Sequence, residues 1–195
     1  MKKIKITESD LYNIIKQVLL EQEEENVWYT DAEDFKFRLF KAFDGDSEKF
    51  AKYHNKFYDK IVVDGSLDLR RTQITSLPDN LHVVGDLDLE ETPITSLGDN
   101  LSVGGDLYLY MCKNLTSLGD NLHVVGSLYL SRTPITSLPD NFSVGGELHL
   151  ARTQITSLPD NLVVKGGIYI YGTPLNDNDE LVKEYKAKGY KITRD

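Results

Sequence analysis

One pattern of apolar and polar positions is repeated six times between Gly65 and Thr173. Its form is Gly-x-Leu-x-Leu-x-x-Thr-x-Ile-Thr-Ser-Leu-Pro/Gly-Asp-Asn-Leu-x-Val-x, with four spacings of 20 residues and one of 21. The copies begin at Gly65, Gly85, Gly105, Gly126, Gly146 and Gly166. Repetition at this period indicates a solenoid, in which each unit buries its apolar side chains only by stacking on its neighbours.

The second unit illustrates what each copy encodes. From Val83 to Glu90 apolar and polar side chains alternate, which predicts a short strand with one edge inward and the other toward solvent. Pro93 ends regular strand pairing, and the irregular apolar spacing that follows favours a coil over a helix. The recurring Asp-Asn and Thr-Ser pairs, such as Asp99 and Asn100, are more consistent with a stacked hydrogen-bonding ladder than with repeated active sites.

The unit resembles a leucine-rich repeat, closest to the short bacterial variety with Leu-Pro in its second half. The matching residues recur as Leu67, Leu69, Ile74, Leu77, Pro78 and Leu81, and again as Leu148, Leu150, Ile155, Leu158, Pro159 and Leu162. The resemblance implies a right-handed arc with its strands on the concave side and a partner bound there. A parallel β-helix, which has the same period, remains the alternative.

The chain departs from that family at one position of the unit. Where the family usually has Asn, five units have Thr72, Thr92, Thr133, Thr153 and Thr173. One hydroxyl cannot supply both the donors and the acceptor of an amide, so we expect a thinner buried ladder. The third unit lacks this Thr and has one extra residue within 110–114, which predicts a bulge with Cys112 as an incidental member.

Appendages flank the solenoid, which we place at residues 61–175. Residues 1–25 combine an amphipathic helix at 7–21 with an acidic linker. Residues 26–60 predict a two-helix N-terminal cap, with Thr30 or Asp31 opening the first helix and Ser47 capping the second. Residues 176–195 predict a C-terminal cap made of a helix at 178–188, stopped by Gly189, and a closing edge strand. The expected fold is therefore an α/β, leucine-rich-repeat-like solenoid of six units with helical caps.

Residues 6–16 resemble the N-terminal segments of tailed-phage proteins, and residues 19–21 are similar to Leu-x-Glu sites that prohead proteases cut in some of those phages. The resemblance implies a phage-encoded protein in the cytoplasm of a bacterial host cell or in the virion. The helix at 7–21 either packs on the solenoid end or serves as a detachable docking tag.

Composition and motifs narrow the function further. The net charge of −9 opposes nonspecific binding to nucleic acid, no apolar run approaches a membrane span, and the single cysteine excludes a disulfide framework. There is no Ser-His-Asp arrangement, Gly-Lys phosphate loop or paired-cysteine site, and the carboxylates near Asp86 lack the preorganised loop of a Ca²⁺ site. We expect no enzyme, cofactor or metal, with catalysis through His149 as a distant alternative, and the oligomeric state stays open.

The outward strand positions of successive units form a column that is acidic in one half and aromatic in the other. The candidate partner-binding residues are Asp68, Asp88, Tyr108, Tyr129, His149 and Tyr169 of this column, and Tyr110 and Tyr171 of the neighbouring one. Strand propensity alone would place tyrosines on a solvated sheet, but rigid aromatic area beside carboxylates is also typical of a binding face.

These observations lead to two competing functions. The first is a non-catalytic protein–protein interaction module that binds a partner with a basic segment through the concave strand face. The second is a phage structural or packaged cargo protein recruited through its N-terminal helix.

Overall fold

The computed structural model describes residues 27–140 and 142–195, where the chain winds into a solenoid of parallel strands. Its strands form two seven-stranded sheets. In spatial order the first sheet contains β1 (Val27–Asp31), β2 (Lys60–Asp64), β4 (Leu81–Val83), β6 (Ser102–Val103), β8 (His123–Val124), β10 (Ser143–Val144) and β12 (Val163–Val164). The second contains β3 (Leu67–Asp68), β5 (Leu87–Asp88), β7 (Leu107–Tyr108), β9 (Leu128–Tyr129), β11 (Leu148–His149), β13 (Gly167–Tyr169) and β14 (Lys191–Thr193). The expected solenoid with helical ends is confirmed.

Each turn bends between its two strands, where the alternating pattern predicted one strand. In the second turn β4 ends at Val83, the backbone bends at Val84 and Gly85, and β5 begins at Leu87. Gly85 is needed at this corner because an added Cβ would lie 2.8 Å from the carbonyl carbon of Gly65 in the preceding turn. The alternation predicted the inward side chains correctly, but it contains no sign of the bend.

The repeated threonines line the core at the end of the second sheet. Each hydroxyl donates a 2.7 Å hydrogen bond to the backbone carbonyl three residues earlier in its own turn. These residues are Thr72, Thr92, Thr133, Thr153 and Thr173. Each hydroxyl thus donates its one proton within its own turn. This agrees with the thinner ladder expected when threonine replaces asparagine.

Cys112 occupies the threonine position of the third turn, so its placement as an incidental bulge residue is wrong. The side chain is fully buried, and Sγ donates to the carbonyl of Leu89 at 3.0 Å and lies 3.6 Å from the hydroxyl of Thr92. Burial raises the pKa of the Cys112 thiol. The extra residue of this turn follows the cysteine, at Lys113 and Asn114.

The predicted Asp-Asn ladder is present on the coil side of the solenoid. Asn100 Nδ2 donates to Asn80 Oδ1 at 2.8 Å, and Asn121 Nδ2 donates to Asn100 Oδ1 at 2.9 Å. In the same turns the Asp79 and Asp99 carboxylates accept the backbone N–H of the next aspartate along the stack. All three asparagines have φ near +56°, a left-handed conformation that Asn tolerates better than most residues.

The N-terminal part adds a strand that the sequence did not predict. β1 pairs along its whole length with β2 and opens the first sheet. Helix α1 (Ala32–Phe37), continued by a π-helical stretch at Arg38–Ala42, and helix α2 (Ser47–Phe57) follow. Asp31 caps α1 as expected, but Asp46 rather than Ser47 caps α2.

Ser47 instead connects α2 to the solenoid. Its hydroxyl accepts the backbone N–H groups of Thr75 at 2.8 Å and Ser76 at 3.2 Å. Beneath the helices, Trp28 stacks on His54 at 4.7 Å between centroids, and Phe50 lies 4.1 Å from the same imidazole. These aromatic side chains share one continuous core with the first turns of the solenoid.

The C-terminal end follows the predicted order of elements. A 3-10 turn at Pro174–Asp177 leads into helix α3 (Asp179–Ala187), which Asn178 caps. Gly189 then adopts φ +97° and allows the chain to reverse into β14. The Tyr185 hydroxyl donates to the Leu158 carbonyl at 3.1 Å and fastens the helix to the fifth unit.

Candidate protein-binding face

The six predicted column residues lie side by side on the outer surface of the second sheet. Register pairs each of them with the next, in the order Asp68, Asp88, Tyr108, Tyr129, His149 and Tyr169. Their neighbours in each strand are fully buried leucines or Ile168, so these side chains must point away from the core. The first is exposed and the other five are partly buried.

The four aromatic members form one continuous aromatic stack, Tyr108, Tyr129, His149 and Tyr169. Successive ring centroids are 4.8, 4.6 and 4.4 Å apart, and the planes differ by 5°, 18° and 4°. The spacing matches the distance between neighbouring strands, so the sheet itself sets it. Each inner ring is covered on both faces, and a partner would therefore meet ring edges and hydroxyls rather than ring faces.

Carboxylates orient the rings of the aromatic stack through hydrogen bonds. The Tyr108 hydroxyl donates to Asp106 Oδ2 at 3.1 Å. At the other end the Tyr169 hydroxyl donates to Glu147 Oε1 at 3.0 Å, and His149 Nε2 lies 3.1 Å from Glu147 Oε2. Asp106 and Glu147 were not among the candidate partner-binding residues that the sequence identified. Their position two residues before a tyrosine or histidine of the same turn is the signal that could have indicated this role.

The acidic end of the column contains a cation of its own. Arg70 binds Asp68 through two nitrogens at 2.8 and 3.0 Å, and its Nε lies 3.1 Å from Asp88 Oδ2. The guanidinium holds the pKa of Asp68 below its usual range. This part of the column is therefore only partly open to an external cation.

Two carboxylates near Arg70 remain poorly compensated. Burial, followed by neighbouring carboxylates, raises the pKa of Glu90. Burial is also the main cause of the raised pKa of Asp88, although Arg70 opposes it. A raised pKa means that the surroundings disfavour the charged form of a carboxyl group. An added cation would therefore stabilise the carboxylate forms of Asp88 and Glu90.

Tyr110 and Tyr171 do not join the stack. They belong to the neighbouring column, separated there by Ser131 and Ala151. Each ring has one of the chain's own guanidinium groups beside it, Arg132 at 5.6 Å from Tyr110 and Arg152 at 5.8 Å from Tyr171. Both arginines are exposed and left-handed in backbone conformation, and the sequence did not predict their contacts with tyrosine.

Other candidate chemistry is dispersed. His54 is buried in the aromatic core, and His82 and His123 lie two strands apart on the first sheet. Within residues 27–140 and 142–195, no three His, Cys, Asp or Glu side chains converge as a metal site would require. In the same part of the chain, no helix has the length and apolar character needed to cross a membrane. The predicted helix at 7–21 lies outside the described residues.

No protein-family model matches the chain, and neither curated proteins nor solved structures include one that is significantly similar to it. Its function therefore has to be argued from the geometry of the two sheets.

Proposed function

We propose that this protein is a non-catalytic protein-binding module that uses the outer face of the second sheet, with the leucine-rich-repeat-like and phage-encoded character that the sequence suggests. The observation that carries the proposal is the aromatic stack, a rigid row of rings beside an acidic patch. Rigid aromatic side chains contribute contact area at little cost in conformational entropy, and charge selects the partner. The stack thus supplies the area, and the carboxylates supply the selectivity.

The expected partner is a protein segment rich in arginine. Six carboxylates line this face against one guanidinium in the same columns, Arg70; they are Asp68, Asp86, Asp88, Glu90, Asp106 and Glu147. The chain's own arginines already lie beside Tyr110 and Tyr171, so we expect the incoming cations at the carboxylates. Arginine is favoured over lysine because its planar group forms paired hydrogen bonds to carboxylates.

The first experiment measures calorimetrically the binding of an arginine-rich peptide and of a lysine-rich peptide of equal length. We expect the arginine peptide to bind more tightly and the affinity to fall as salt is added. Asp88→Asn/Glu90→Gln should weaken it at least about tenfold because two carboxylates of the face are neutralised. The matched control is Glu48→Gln/Glu180→Gln, which removes the same charge from exposed helix positions. If both double variants weaken the binding equally, the peptide is attracted by net charge alone, which would contradict a site on this face.

The second experiment looks for the natural partner by affinity capture from bacterial lysate. Wild type is compared with Tyr108→Ala/Tyr129→Ala/Tyr169→Ala and with a chain lacking residues 1–25. We expect a specific partner to be lost only by the alanine variant. Loss only on deletion of residues 1–25 would support the competing role as a structural or packaged cargo protein. The bacterial or virion setting belongs to the proposal, and capture from host and from virion fractions would test it.

A further inference from the structure

The first sheet has an outer surface of its own, which the proposed function does not use. One row of this surface, here called the outer row, continues from Asp31 of β1 through Asp64, Val84, Gly104, Val125, Gly145 and Lys165. Its register is fixed by backbone bonds from each turn to the one before, for example Gly104 N to the Val83 carbonyl and Gly145 N to the Val124 carbonyl, both at 2.9 Å. The row therefore begins with exposed carboxylates, ends with an exposed ammonium group and alternates valine with glycine between them.

The glycines of the outer row have a local explanation, whereas the valines do not. A Cβ at Gly104 would lie 2.1 Å from the Val84 carbonyl oxygen, and one at Gly145 would lie 2.1 Å from that of Val125. Val84 and Val125 themselves are 47% and 54% exposed. Apolar side chains so far exposed in a regular array indicate a surface that another molecule covers.

We propose that the covering molecule is a second copy of this chain, packed face to face about a two-fold axis parallel to the strands. Such an axis reverses the order of the turns and keeps each row opposite itself. Within the outer row every position from Asp64 to Lys165 then meets its complement, and Asp31 of β1 extends past the last turn of the second copy. Asp64 faces Lys165, Val84 faces Gly145, and Gly104 faces Val125, each pair occurring twice. Every valine fills the space above a glycine, and every terminal charge meets its opposite.

The neighbouring row follows the same rule. It continues from Tyr29 of β1 through Val62, His82, Ser102, His123, Ser143 and Val163. Under the same axis Val62, which is only 9% exposed, faces Val163. His82 faces Ser143 and His123 faces Ser102, although within one chain His123 Nδ1 already lies 2.8 Å from the Ser143 hydroxyl. In the monomer Val163 is 55% exposed. A two-fold axis along the solenoid would instead place each turn opposite itself, so that Asp64 and Lys165 could not pair.

A hollow at the N-terminal end of the sheet fits this arrangement. It has a volume of about 650 Å³, and its lining includes Val62 and Val84 together with the carboxylates of Asp31, Asp34 and Asp64. The axis brings the exposed Val163 and Lys165 of the second copy to this end. The valine would enter the apolar part of the hollow and the ammonium group would lie among the carboxylates.

The contact is a strip only two rows wide, so the dimer belongs at the small end of specific interfaces. We therefore expect a dimer that dissociates on dilution, and sedimentation velocity over a wide range of chain concentration measures it directly. A chain that stays monomeric up to millimolar concentration would overturn the proposal. The two sheets face different directions. Self-association through the first sheet and partner binding through the second are therefore separate measurements, and one can be contradicted while the other is supported.

Charge reversal tests the register. Asp64→Lys and Lys165→Asp each place like charges opposite one another, and each should weaken self-association at least about tenfold. An equimolar mixture of the two variants should recover association as a heterodimer, since both contacts then join opposite charges. The controls Asp140→Lys and Lys183→Asp make the same changes at exposed positions off this surface. Failure of the mixture to recover, or equal weakening by the controls, would overturn the proposed pairing.

Cross-linking tests the symmetry. Residues 64 and 165 are five turns apart, about 24 Å at the usual strand spacing, so a short thiol-specific cross-linker that spans the roughly 10 Å between packed sheets must join two chains. Asp64→Cys/Lys165→Cys should be linked to a covalent dimer and stop there, because two links close the pair. The single variants should not cross-link, and the native Cys112 is fully buried. A ladder of larger products, or dimers from a single variant, would exclude the two-fold arrangement.

Discussion

The rings of His149 and Tyr169 lie parallel, 4.4 Å apart between centroids, and both bond to the carboxylate of Glu147. The stack and the carboxylates thus form one structure. Glu147, two residues before His149, orients the ring of its own turn and that of the next turn. The hydroxyls of Tyr108 and Tyr169 have raised pKa values, because each proton lost would leave two negative charges in contact.

Tyr108 gives the clearest titration. Burial and the hydrogen bond to Asp106 raise its pKa to about 12. We expect Asp106→Asn to lower this pKa, because the amide oxygen can still accept the hydroxyl but no longer repels the phenolate. NMR of ring-labelled tyrosine, with Tyr108→Phe to assign the signal, measures the shift. Glu48→Gln, distant on α2, serves as the control, and an unchanged Tyr108 pKa in Asp106→Asn would contradict the role assigned to the carboxylate.

The stack should also contribute to stability. Tyr129 lies between Tyr108 and His149, and aromatic pairs contribute about 0.5–1.5 kcal/mol each beyond the area they bury. We expect Tyr129→Ala to lower the free energy of unfolding by about 2–3 kcal/mol and Tyr129→Phe by less than about 0.5 kcal/mol. Urea denaturation measures both. Tyr29→Ala, at a position that is 74% exposed, is the comparison, and an equal loss there would show that stacking adds nothing.

How much of this face the sequence could predict depends on whether a feature repeats. The column from Asp68 to Tyr169 follows from the repeat length and from the alternation of inward and outward side chains in one strand. Its members were therefore placed correctly. The stacking distances also follow, since strand spacing fixes them. The hydrogen bonds that orient the rings do not repeat. Asp106 accepts a hydrogen bond from Tyr108 of its own turn only, whereas Glu147 contacts rings of two turns. Such contacts depend on side-chain rotamers, which period and propensity do not specify.

The same distinction applies to the fold. One strand per unit, the coil side and the Asp-Asn ladder all repeat and were predicted. The corner at Val84 and Gly85, which divides that strand into two, depends on how closely a neighbouring backbone approaches. β1 was missed because Val27–Asp31 has no repeat to compare with, and its neighbour in the sheet is 33 positions further along the chain. Ser47 looked like a cap because its residue type suits one, but tertiary contact with Thr75 uses its hydroxyl.

The threonine positions predict a graded series in stability. Thr133→Val keeps the shape and removes the hydroxyl that bonds to the Leu130 carbonyl at 2.7 Å, so we expect a loss of about 1 kcal/mol. Thr136→Val, at an exposed position, should change stability by less than about 0.5 kcal/mol. Cys112→Thr should be tolerated within about 1.5 kcal/mol, since threonine fits this position in five other turns. Denaturant unfolding measures the three, and a loss well above about 1.5 kcal/mol for Cys112→Thr would contradict the assignment of Cys112 to this row.

His54 predicts a loss of stability in mild acid. Burial among Trp28 and Phe50 lowers its pKa below the ordinary 6.5, so below pH 6.5 the unfolded chain takes up a proton that the folded chain rejects. The free energy of unfolding should fall as the pH decreases from 6.5 to the depressed pKa and lose nothing further from this group below it. His54→Phe should remove that part of the pH dependence, whereas His82→Gln, which removes a second histidine of lowered pKa, should leave it in place. Denaturation at a series of pH values measures both, and a His54→Phe profile that coincides with wild type would show that the imidazole is not the group responsible.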